Sequence, residues 1–186
     1  ARKIMLFHTA REFIMPTLTI TQRKWLLILH LIFIAIWFGN TVIFLILSIA
    51  ASLTTDENVV LSSYTIMHLL AQTSGRASII GSVVTGILLS LLTKWGLFKF
   101  KWIIAKEILT LLSVGIGIVG IYYWTLHAFT MVSLEGIESF QNQSFIINNY
   151  QLFGGVILQI LSLASMIVIS VFKPWGKRKN RQSTRA

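Results

Sequence analysis

Two imidazoles are the residues of this sequence best suited to chemistry. His68 stands 26 residues before Lys94, and His127 stands 26 residues after Lys101. At about 1.5 Å per helical residue, each is raised about 39 Å from its basic flank. Imidazoles at equal height on neighbouring antiparallel helices can ligate an iron porphyrin from both faces. Gly75, Gly117 and Gly120 would leave room for the flat macrocycle, and Arg76 would pair a propionate. Bis-His haem b suits electron transfer, because no axial position stays open for a substrate. A second chemistry uses Met131, one helical turn beyond His127, with Met67 adjoining His68. Imidazole plus thioether is a soft set suited to Cu(I). A third reading gives the histidines no cofactor: they hydrogen-bond at a wet interface, and the polar seams serve assembly with a membrane partner or a second copy. On the same ruler Asn40, Arg76 and Gln151 rise about 24, 27 and 33 Å. With Gln72 and Gln159 they complete a polar constellation around the two histidines.

A second group sits lower. His30 lies six residues past Lys24, and Lys106 and Glu107 lie five and six past Lys101, so all three stand about 8 to 9 Å from the basic flank. Here a His30–Glu107 pair is expected, with Lys106 snorkelling to the headgroups. His30 is also a further potential ligand, and His8 is near enough to join this group.

The elements that must position these residues follow from charge. Fifteen of the sixteen Lys and Arg residues fall within Arg2–Lys24, Lys94–Lys106 and Lys173–Arg185, while the other two connections carry Asp56, Glu57, Glu135 and Glu138. Basic flanks on one side and acidic flanks on the other form the positive-inside pattern of a multi-span membrane protein. The content is 55% hydrophobic and 12% charged, which excludes an ordinary soluble domain. Spans are predicted at Trp25–Ile49, Gln72–Leu92, Trp102–Trp124 and Gln151–Phe172, each with the twenty or so apolar residues that about 30 Å of hydrocarbon requires. The fold class is therefore an all-α membrane protein: a four-helix antiparallel bundle in a bacterial plasma membrane, both termini cytoplasmic. It forms one membrane domain, with an interfacial segment at 1–23, the bundle at 24–173 and a basic tail at 174–186. Residues 2–15 mix apolar and charged positions as an interfacial helix stopped near Pro16 does. Residues 50–61 and 126–150 are expected as outer connections.

The net charge of +10 flanks spans and does not line one face, so it predicts an anionic lipid leaflet and no nucleic-acid partner. With no Cys there is no disulfide, thiolate metal site or Cys nucleophile. No phosphate loop, HExxH or nucleophile elbow is present.

Polar and small residues recur at steps of three and four along the spans: His68, Gln72, Gly75, Ser82 and Gly86 on the second; Glu107, Thr110, Ser113, Gly117, Gly120, Trp124 and His127 on the third; Gln151, Gly155, Gln159, Ser162 and Ser165 on the fourth. In lipid such stripes turn inward.

The run from Trp25 through His30 and Trp37 to Gly39 resembles the opening helix of small bacterial four-helix integral membrane proteins of unknown function. Gly86–Gly96 followed by Trp102–Lys106 is similar to their central hairpin. The opening also resembles copper-resistance D proteins and, more loosely, small b-type cytochromes. The resemblance spans residues 24–125 and implies that His30, Trp37 and Lys106 match family positions. Asn40 departs from it, standing where the family has a second glycine.

Overall fold

The computed structural model describes residues 18–92 and 100–175; the predicted interfacial helix, most of the central hairpin and the basic tail lie outside them. Every element among the described residues is helical: α1 (Ile20–Leu53), α2 (Glu57–Leu91), α3 (Lys101–Gln141) and α4 (Gln143–Phe172). All four are long and apolar enough to cross a membrane. Their ends carry opposite charge: Arg23, Lys24, Lys101 and Lys173 mark a basic end, and Asp56, Glu57, Glu135 and Glu138 an acidic end.

Each boundary has a local cause. Thr19 and Gln22 form a reciprocal capping box at the start of α1, at 3.2 and 3.0 Å. The Asp56 carboxylate accepts the Asn58 N–H at 2.9 Å, and the Asn142 side chain accepts that of Ser144 at 3.0 Å. Gly136 stops the regular part of α3 at φ 57°, ψ −139°, and a tight turn of helix carries the chain on to Gln141.

All four helices run beyond the predicted spans, α2 and α3 by the most, and both predicted outer connections are largely helix. α2 begins at Glu57, fifteen residues before the predicted start at Gln72, and α3 runs well beyond Trp124. Hydrocarbon thickness sets only a minimum length, nothing between 126 and 135 breaks a helix, and Ala128 and Val132 are buried. At 35 residues α2 is about 52 Å long, far more than the bilayer core. The connections shrink to residues 54–56 and to Asn142.

The helices form a ring in which α1 packs on α2, α2 on α3, α3 on α4 and α4 back on α1. The larger core lies toward the acidic end, where Ala51, Val60, Tyr64, Met67, Ala128, Phe145, Leu152 and Val156 are fully buried. Trp37, Ile79 and Leu163 form a smaller one nearer the middle. Toward the basic end, Ile28, Leu31, Ile108, Leu111 and Val168 face outward, as lipid requires. There α2 and α3 part: Arg76–Leu91 packs chiefly on α1 and Lys101–Val114 on α4, not on each other.

Both α2 and α3 contain a wide π-helical stretch, at Ala71–Gly75 and Gly115–Ile121, and these two stretches touch. A side chain at Gly75 would stand 2.9 Å from the Leu70 carbonyl oxygen, so the wide turn there needs glycine. Substituting Gly136→Ala forces a side chain into positive φ and against the Glu57 carboxylate. A loss of about 1 to 3 kcal/mol is expected, read as a lower thermal midpoint in detergent micelles.

Candidate functional site

The polar face of α2 is built from one stripe. His68, Gln72 and Arg76 follow at steps of four, across the π-helical stretch. The His68 ring is 8% exposed and lies parallel to Phe129 of α3, at 5.7 Å and 6°. Tyr122 borders it at 5.6 Å. The Gln72 amide donates to His68 Nε2 at 2.6 Å, which leaves the proton on Nδ1, facing Thr125 Oγ1 at a long 3.5 Å. Arg76 closes the row, its guanidinium 4.1 Å from the centre of the Tyr122 ring. Both imidazole nitrogens of His68 are thus turned to protein groups.

The structure does not bring His127 to this site. Thr125 and Phe129, which face His68, are four residues apart on α3, and His127 lies between them, roughly 200° around the helix from each. Its Nε2 meets Ser144 Oγ of α4 at 3.4 Å instead, and its Nδ1 is buried without a partner among the described residues. Equal height was a poor guide because the two rings occupy different seams. The predicted α3 stripe is mostly the α3–α4 seam: Thr110 meets Met166 Sδ at 3.2 Å, Ser113 meets Ser162 at 2.7 Å, and the Trp124 ring occupies the space beside Gly120 and Gly155. The α3 face that meets α2 is Tyr122, Thr125 and Phe129, a spacing of three and four that was present in the sequence but masked by its apolar and aromatic character.

The space beside two of the three glycines named for a macrocycle is taken by side chains. A side chain at Gly117 would stand 2.7 Å from Ile79 Cδ1, and Trp124 already fills the space over Gly120. Between the two π-helical stretches lies a cavity of about 20 Å³, lined by Trp37, Asn40, Thr41, Gly75, Ile79 and Gly117 among others. That is room for one water. Asn40 beside it donates to Ser74 at 3.0 Å. Gln159, fully buried, accepts from the Trp37 indole and donates to the Ser113 carbonyl, each at 3.1 Å. Gln151 points outward.

Copper ligands do not gather either. Met67 Sδ is taken up in the core, accepting from Ser48 at 3.6 Å, and Met131 packs against that core. Among the described residues no group of three or more His, Asp or Glu is placed to hold a metal ion.

At the basic end His30 donates from Nδ1 to Thr85 Oγ1 at 2.8 Å, since that hydroxyl gives its own proton to the Gly81 carbonyl. The expected His30–Glu107 pair does not form, because α1 and α3 lie diagonally across the ring. Lys106 donates to Ser170 of α4 at 2.7 Å rather than reaching only to headgroups. Glu107 Oε1 is buried without a partner among the described residues.

The two histidines should therefore respond unequally to truncation. His68→Ala, which removes a stacked ring and strands Gln72, is expected to cost about 2 to 3 kcal/mol, and His127→Ala below about 1. Denaturation in mixed micelles measures both, and equal losses would contradict the separate seams. Comparison with models of known protein families, with curated proteins and with solved structures gives no match for this chain.

Proposed function

We propose that this chain is an integral protein of the bacterial plasma membrane, both termini cytoplasmic, serving as a non-catalytic subunit or partner of another membrane protein. The carrying observation is the apolar surface near the acidic end of α4. Ile147, Tyr150 and Phe153 follow at steps of three and are 51%, 76% and 41% exposed. Tyr150 is 23 residues from Lys173 and Ile147 is 26, so they stand about 34 and 39 Å from the basic flank, beyond about 30 Å of hydrocarbon. Tyr150 at that height lies in the headgroup layer, where aromatic rings are common, but lipid tails do not cover an aliphatic side chain as high as Ile147. Leu53 and Leu134, 82% and 79% exposed, lie beyond it on the same ruler. Large apolar surface left in water marks a protein contact. The polar seams support the same reading: Asn40, Gln159, Ser113 and His30 are closed on partners within the bundle and leave no open place for a reacting group. The haem b and copper readings built on the His68–His127 pair draw no support from its placement, since the two are turned to α3 and α4 respectively.

The orientation rests on the basic clusters, and the absence of native Cys makes it simple to test. Ser183→Cys is expected to react with an impermeant maleimide only after the cells are opened, and Glu138→Cys on intact cells. The partner reading predicts that a photoreactive residue at Tyr150 forms one discrete protein adduct in native membranes, and that the same group at Leu111, on the lipid side, forms none. Purified protein should be colourless and free of copper. A reduced haem alpha band that vanishes in His68→Ala would overturn the proposal.

A further inference from the structure

Among the described residues, Arg76 is a cation set well away from the basic flanks. The other fifteen Lys and Arg residues lie in the three clusters, and Arg76 stands 18 residues before Lys94 in the sequence, about 27 Å at the helical rise. That is the far edge of about 30 Å of hydrocarbon. Among the described residues no carboxylate or hydrogen-bond acceptor takes its five N–H donors; its recorded partner is the Tyr122 ring, which covers one face of the guanidinium plane. From this depth the guanidinium reaches the headgroup layer, where an anionic group can pair it.

From Arg76 toward the basic end, the same face of α2 continues as Ile80, Val84 and Ile87, which are 56%, 50% and 44% exposed. The face of α3 below Tyr122 continues as Val119 and Leu112, 57% and 45% exposed. Val119 lies in the stretch where the two helices still touch, and Leu112 in the segment that has parted from α2 onto α4. These exposed apolar side chains would line a cleft below a cation that has no hydrogen-bond acceptor among the described residues.

We propose that an anionic phospholipid of the outer leaflet binds here, its phosphate on Arg76 and an acyl chain along Ile80, Val84 and Ile87. A guanidinium meets phosphate bidentately, and the exposed Gln72 amide one turn away supplies a further donor. One leaflet holds about 15 Å of hydrocarbon, half the bilayer core, which is about ten helical residues and carries the chain from Arg76 to Ile87. A zwitterionic lipid brings its own cation to the phosphate and so binds less well. The inference rests on the membrane placement proposed above, and not on the protein partner.

The test is native mass spectrometry of the whole chain released from nanodiscs made of equal parts phosphatidylglycerol and phosphatidylcholine. The wild type should retain phosphatidylglycerol preferentially. Arg76→Gln should lower the glycerol-to-choline lipid ratio about tenfold, the size of one lost charge-assisted hydrogen bond. Ile80→Trp, which fills the cleft and leaves the charge in place, should reduce retention of either lipid, and it reads the same site if Arg76→Gln fails to fold. Lys106→Gln should leave the ratio unchanged. An equal ratio in wild type and Arg76→Gln would overturn the proposal. So would displacement of the lipid by inorganic phosphate, which would indicate a bare anion site, or a lipid-free dimer abolished by Ile80→Trp, which would give the cleft to a second copy. Recovery of the chain outside the membrane fraction would instead refute the membrane placement.

Discussion

A polar side chain inside hydrocarbon has no water to fall back on, so it must find its partner on a neighbouring helix. In this bundle several polar side chains meet that requirement pair by pair, while Glu107 Oε1 is buried without a partner among the described residues. Asn40 reaches Ser74, His30 reaches Thr85, Ser113 reaches Ser162, and Gln159 spans from Trp37 to the Ser113 carbonyl. Each pair joins two particular helices and so helps decide which faces meet. Such bonds are individually worth about 1 kcal/mol or less in a membrane, and their role here is as much orientation as stability.

The same constraint separates what could be read from sequence and what could not. Spacing by three and four placed Thr110, Ser113, Trp124 and His127 on one face of α3, and that face exists. Spacing says nothing about which helix receives it: equal height pairs His127 with His68 of α2, whereas His127 and most of that face meet α4. The α2-facing surface of α3 is carried by Tyr122, Thr125 and Phe129, whose apolar bulk does not stand out in an apolar span. Helix count and length sufficient to cross a membrane were legible, because both rest on composition over twenty residues. The acidic-end extensions of α2 and α3 were not, because a membrane sets a minimum length for a helix and no maximum.

These extensions also divide the molecule into two environments. Near the acidic end, helices pack around Tyr64, Met67 and Phe145 as they would in water, with the Tyr64 hydroxyl donating to Asn149 at 2.9 Å and its ring edge-on to Phe145. Toward the basic end, packing thins and apolar side chains turn out to the lipid. The glycines serve the first kind of packing more than any cofactor, since Ile79 and Trp124 occupy the room they leave.

The paired wide turns at Ala71–Gly75 and Gly115–Ile121 stand where these two regimes meet. Each residue added to or removed from an ordinary helix rotates everything beyond it by about 100°. A wide turn absorbs such a change locally, so it acts as a phase adjuster between two halves that answer to different solvents. Insertion or loss of one residue in either stretch would re-index the lipid-facing half against a crown that stays put, which gives the bundle a place where its two ends can vary independently.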